Sequence, residues 1–304
     1  MVLSEIKEHY VTNHKEKIFA TKISSANCEY YILYKYDYNY ELENFKSEFL
    51  NYLPYYVSND DQLNTIDLST DIDKQMEIRS KKIRRDSTII PKRLIKNDGI
   101  YGELFLDFYL RIVKGRNLII TYASKKEFKT RKEISGIDSV AYFIDNDEMN
   151  ICFSEAKFVA DSSYAKNSLK SDIEGNKKQI GHLTKEYLNT YIQFIVEKGL
   201  NLLADEKEKF SIFLKKLNDE LYKEKSFLDI LLKENICINF IFFAIFKSTK
   251  KNPKDLELHY KEIQSSALNK INNLNIKNYK IEIVFIPTDN TSMTIKKEIE
   301  TNYE

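Results

Sequence analysis

The sequence predicts an α/β protein, a mixed central sheet flanked by helices and preceded by an N-terminal accessory region. Three observations support this. Residues 137–157 read as two strands joined by the turn Asp145-Asn146-Asp147-Glu148, a hairpin by its turn chemistry. Residues 236–246 are apolar except for Asn239, too short a run for a membrane and suited to a buried central strand. Around these runs the apolar spacing switches to the helical period.

In chain order, residues 28–37 (Cys-Glu-Tyr-Tyr-Ile-Leu-Tyr-Lys-Tyr-Asp) predict a strand, and residues 41–53 a helix that Pro54 helps to end. Residues 58–77, rich in Asp, Asn, Ser and Thr, give way to the basic stretch 79–85. This charge reversal, with weak periodicity, suits a loop or a pairing edge. The chain therefore divides into an accessory or docking region, 1–97, and a core, 98–304. Leu104, Phe105, Phe108, Ile112 and Val113 recur at helical spacing, which places Glu103 in the first turn of a helix that Gly115 stops. Residues 118–122 predict a short strand, followed by a basic loop, strand 137–144 and strand 149–157. A long helical region over 165–198, with tolerable breaks at Gly175 and Gly181, precedes a charged helix near 206–224. Strands 236–246 and 279–286 flank a helix at 255–273.

Composition narrows the function. The 304 residues, 42% hydrophobic, suffice for one large core or two modest ones. Lys and Arg total 47 against 46 Asp and Glu, so a nucleic-acid partner must be met by local basic patches and not by bulk charge. Such patches lie at 79–85, at Lys92, Arg93 and Lys96, and at Lys125, Lys126, Lys129, Arg131 and Lys132. Each suits a phosphate backbone and an ordinary solvated face about equally, the third being favoured because it precedes the strand that bears Asp138. Cys28, Cys152 and Cys237 sit in apolar runs and predict buried free thiols in a reducing compartment, with no disulfide and no zinc. The first residues lack a signal-peptide core, and no apolar run reaches the roughly 18 residues of a membrane span, so a cytoplasmic protein with no membrane partner is expected. No Gly-rich phosphate loop is present, which argues against ATP hydrolysis by this chain. His9, His14, His182 and His259 are scattered without metal-binding spacing and read as surface or core histidines.

The chemistry concentrates in the central hairpin. Strand side chains alternate faces, so Glu155 and Lys157 point the same way while Ala156 points to the other. A lone Glu-x-Lys on a strand is ordinarily a solvated ion pair. Here Met149, Ile151 and Phe153 share parity with Glu155 and Lys157, so an apolar strand face ends in two charges. Asp138 likewise begins a strand whose same-parity residues, Val140 and Tyr142, are apolar. Several charges on buried-side positions need a partner, and a hard cation shared by Asp138 and Glu155 supplies one. Glu103 would hold the ion's outer waters or a second ion, and Lys157 would position the attacking water and neutralise charge on the phosphorane.

The segments Gly102-Glu103, Gly136-Ile137-Asp138 and Ser154-Glu155-Ala156-Lys157-Phe158 resemble the PD-(D/E)xK nuclease superfamily, and within it the HamA effector nucleases of Hachiman antiphage defence. The resemblance covers residues 98–175 best and departs at Ser154, where a glycine is more typical. It implies a restriction-endonuclease-like core and a metal-dependent DNA endonuclease using Mg2+ or Mn2+. The implied catalytic residues are Glu103, Asp138, Glu155 and Lys157, with Asp138, Glu155 and Glu103 on the metal. It also implies a HamB-like helicase partner, for which the region 60–85 and the apolar N-terminal strand are the expected docking surface, an ordinary intramolecular edge being the alternative. The fourth superfamily element, a Gln or Lys on the following helix, has three candidates in Lys170, Lys178 and Gln179. The competing reading of the whole chain is a DNA-docking or interaction subunit, non-catalytic or silent until a partner supplies substrate.

Overall fold

The computed structural model describes residues 3–14, 19–25, 27–33, 99–120, 138–145, 148–176, 179–189, 226–247 and 253–288, with a few isolated positions besides. The expected helix at 41–53, the charge-reversing stretch and all three basic patches lie outside them, as does most of the charged helix at 206–224.

The described elements are helix α1 (Leu3–His14), strands β1 (Phe19–Ser25) and β2 (Cys28–Leu33), helix α2 (Gly99–Phe108) and strands β3 (Asn117–Ile120), β4 (Ser139–Asp145) and β5 (Glu148–Val159). Helix α3 (Ser162–Glu174) follows, then the short pair β6 (Gly175–Asn176) and β7 (Gln179–Ile180), helix α4 (Phe227–Lys233), β8 (Cys237–Lys247), α5 (Pro253–Asn273) and β9 (Tyr279–Thr288). Seven strands form one mixed sheet in the order β1-β2-β9-β8-β5-β4-β3. β2, β9, β8 and β5 run parallel, while β4 returns antiparallel beside β5 and β1 beside β2. This is the α/β architecture expected, and the apolar run at 236–246 is its central strand, buried from Cys237 to Phe246. Cys28, Cys152 and Cys237 are buried free thiols.

The sheet's alternation separates two cores. Val140, Tyr142, Ile151, Phe153, Phe240 and Phe242 pack on one face with Ala165, Leu169 and Ile173 of α3 and Tyr260, Ile263 and Ala267 of α5. Ala141, Cys152, Ala156, Ile241 and Phe243 pack on the other with Ile6 and Tyr10 of α1 and Tyr101, Leu104, Phe105 and Phe108 of α2. Burial of such side chains, about 25 cal/mol per Å2 of apolar surface, holds the three layers together.

Three details differ from the sequence reading. β2 is bonded on both edges, to β1 and to β9, so this N-terminal strand takes the intramolecular alternative and the sheet crosses the boundary expected at residue 97. Helix α2 begins at Gly99, which moves Glu103 into its second turn, and it continues as a π-helix over Tyr109–Val113. Gly115, at φ +65°, then stops it as expected, with the Arg116 N–H closing on the Leu110 carbonyl.

The third difference matters most for the site. Residues 165–198 are not one helical region, because α3 ends at Gly175, whose φ of +78° only glycine adopts without strain. The chain then folds back through β6 and β7, and a helical turn resumes at Lys185. Gly181 makes this return possible. A Cβ there would stand 2.6 Å from the Ile173 carbonyl oxygen and 2.7 Å from the backbone of Glu174 and Gly175.

Candidate active site

The site forms at the C-terminal half of β5, on the face covered by α3. Strand pairing brings the first two expected residues together. The Asp138 N–H donates to the Ser154 carbonyl at 3.0 Å, and Asp138 Oδ2 accepts from the Ala156 N–H at 2.7 Å. The Asp138 carboxylate is thereby held against the backbone between Glu155 and Lys157. Lys157 Nζ lies 2.6 Å from Glu155 Oε1, as the shared parity of the two residues predicts. Glu103 is half-buried on α2, beside Gly102, where a Cβ would lie 3.2 Å from the Lys157 carbonyl carbon. That close approach docks α2 on the end of β5.

Two residues with no assigned role in the sequence reading complete the arrangement. Asp172, on α3, places Oδ2 2.7 Å from Lys157 Nζ, so the ammonium bridges two carboxylates. His182 points Nδ1 at Glu155 Oε2, 3.1 Å away, and its ring stacks on Tyr187 with centroids 4.7 Å apart. The return at Gly181 seats it there, the His182 N–H donating to the Asp172 carbonyl at 2.6 Å. Asp172 had a legible signal. It falls three residues after Leu169 and seven after Ala165, on the apolar stripe of α3, where a charge needs a reason. His182 had none, because its place depends on a reversal that looked like a continuing helix. Of the competing candidates on the following helix, Lys170 pairs with Glu262 on α5 at 3.3 Å instead. Lys178 lies outside the described residues, and Gln179 lies in β7.

The electrostatics follow from crowding buried charges. Burial pushes Glu155 up to about 8 and the nearby Asp172 adds to this, while the Lys157 ammonium pulls the other way. Burial also works against a charged Lys157, but Glu155, Asp138 and Asp172 outweigh it and hold the ammonium protonated. His182 is lowered by burial and stays a neutral imidazole near pH 7. Its Nε2 is buried and meets no hydrogen-bond partner among the described residues. A small cavity of about 20 Å3, room for one water, is lined by Glu155, Asp172 and His182 together with Phe153, Phe240 and Phe242.

Glu155, Asp172 and His182 each offer one ligand atom, and these atoms all lie within 4.8 Å of one another, a grouping that could hold a metal ion. Asp138 and Glu103 stand outside that group. With Asp138 counted, three carboxyl groups gather around one ammonium and burial works against ionising Glu155; one divalent cation would supply the positive charge that favours its carboxylate form. Carboxylate and imidazole donors suit such an ion.

A sequence profile of the HamA family matches residues 6–301, nearly the whole chain. The chain belongs to the HamA family. Membership supports a role in Hachiman antiphage defence and agrees with the resemblance carried by Asp138, Glu155 and Lys157. No curated protein and no solved structure matches the chain. Among the described residues, no helix is long and apolar enough to cross a membrane.

Proposed function

We propose that this HamA-family chain is a metal-dependent DNA endonuclease, the effector of a helicase-coupled defence system. The observation that carries the reading is the junction of Asp138, Glu155 and Lys157 at one strand end, with Lys157 held as an ammonium beside the carboxylates. Asp138 and Glu155 are the proposed ligands of Mg2+ or Mn2+, with Glu103 supporting from α2. The bound ion would polarise the scissile phosphate and acidify the attacking water. Lys157 is a fixed positive charge, suited to orienting that water and to stabilising the negative charge that builds on phosphorus. It is poorly suited to act as a base, since losing its proton would leave the carboxylates uncompensated. The β5 backbone fixes Asp138, so its position is set before substrate arrives.

A helicase partner fits a nuclease whose sequence shows no Gly-rich nucleotide loop and a net charge of only +1, features that leave selection and opening of DNA to another protein. The reading is tested with supercoiled plasmid, Mg2+ or EDTA, and the HamB-like helicase with ATP. Cleavage that requires Mg2+ and vanishes in Glu155→Ala and Lys157→Ala is expected, with co-elution of nuclease and helicase on size exclusion. Undiminished cleavage by Lys157→Ala would move the active site elsewhere. A protein that binds DNA yet never cuts it, alone or with helicase, would favour the docking-subunit reading.

A further inference from the structure

Lys157 has two anchors where the proposed chemistry asks for one that is always available. Glu155 is committed twice over, with Oε1 on Lys157 Nζ at 2.6 Å and Oε2 facing His182 Nδ1 at 3.1 Å. If Glu155 also serves a cation, the ion and the Lys157 ammonium repel each other across the shared carboxylate, which weakens the Lys157 contact more than that of an uncharged imidazole. His182 has no second partner for its ring nitrogens among the described residues, whereas Lys157 has Asp172 at 2.7 Å. Lys157 is thus the partner that can be released without being lost.

From this geometry we infer that Asp172 is a positioning residue that keeps the Lys157 ammonium in place when Glu155 turns to the metal. The inference rests on the metal-site reading above and deepens it. Asp172 suits the task because α3 is rigid at both ends. Asp161 caps its start by accepting from the Tyr164 N–H at 2.7 Å, and the Gly175 turn closes its end. Ala165, Leu169 and Ile173 lock the same helix face into the core, so the carboxylate is set by packing and not by a loop. Without Asp172, a lysine released by Glu155 would regain its rotamer freedom and drift from the phosphate. Misplacement of about 1 Å costs on the order of 100-fold in rate.

The test follows the ammonium directly in the full-length protein labelled with 15N-lysine. A side-chain NH3+ held by carboxylates exchanges slowly enough to give a resolved proton–nitrogen signal, assigned to Lys157 by its loss in Lys157→Arg. With Mg2+ present, wild type is expected to keep this signal and Asp172→Asn, the same size without the charge, to lose it. In parallel, plasmid cleavage should fall on the order of 100-fold in kcat with little change in KM, and Asp172→Glu should restore part of both. A Lys157 signal that survives in Asp172→Asn with Mg2+, or that vanishes from wild type on adding Mg2+, overturns the inference. Failure of the nuclease reading has a separate signature, an uncut plasmid and no heat of Mg2+ binding by calorimetry in wild type.

Discussion

Replacing Glu282 with Gln should unfold this protein far more readily, although Glu282 lies on the opposite face of the sheet from the candidate site. The carboxylate is buried on β9, where the Tyr109 hydroxyl donates to it, Arg116 Nη2 reaches it at 2.8 Å and Lys114 Nζ at 3.2 Å. These groups tie the π-helical end of α2 to the sheet. Burial alone would raise the pKa of Glu282, but Arg116, Lys114 and the Tyr109 hydroxyl bring it down to about 2 from an ordinary 4.5, a difference of about 3 kcal/mol. Removing one partner of a buried pair costs roughly 3–5 kcal/mol by a separate route, because the remaining charge stays buried. Both routes lead to a loss of about 3 kcal/mol for Glu282→Gln, measured by urea unfolding at pH 7. The sign of the pH dependence is fixed, since a depressed carboxyl stabilises fully above its unfolded value of 4.5 and loses that contribution as pH falls through about 2. The gap between wild type and Glu282→Gln should therefore narrow by about 1 kcal/mol at about pH 3.5. Adding Arg116→Met to Glu282→Gln removes the stranded charge and should recover part of the loss. A loss under about 1 kcal/mol at pH 7, or a gap that widens in acid, would refute the argument.

Three further outcomes follow from the packing around the site. Gly102→Ala puts a Cβ 3.2 Å from the Lys157 carbonyl carbon and 3.3 Å from the Phe158 nitrogen, both backbone, so it should cut plasmid cleavage at least tenfold while the gain in helix propensity, about 1 kcal/mol, offsets much of the strain in a melting experiment. Gly181→Ala meets backbone atoms at 2.6 to 2.7 Å and should lift His182 off Asp172, seen as faster hydrogen exchange of the His182 amide and a lower melting temperature. Lys157→Ala should leave the melting temperature within a few degrees of wild type, because Glu155, already raised to about 8 by burial, takes up a proton once the ammonium is gone and is not stranded as a buried charge; a drop on the scale of Glu282→Gln would make Lys157 chiefly structural.

Local signals in the sequence determined much of this protein. The parity of Met149, Ile151, Phe153, Glu155 and Lys157 fixed which face of β5 carries charge, because side chains on a strand alternate whatever surrounds them. The apolar run ending at Phe246 suited a strand buried on both faces and Gly115 offered a helix stop, and both hold in the structure for reasons carried within a few residues. Tertiary structure alone decided the rest. A helix tolerates an isolated glycine, so nothing local showed that Gly175 would take a positive φ or that Gly181 would press against the end of α3. That reversal sets His182 on Glu155. The bridge from Lys157 to Asp172 likewise depends on how α3 lies across the sheet, and the Glu282–Arg116 pair joins residues 166 positions apart. Contacts between distant elements are set by packing the whole core, and periodicity shows which face a residue is on but not what that face will meet.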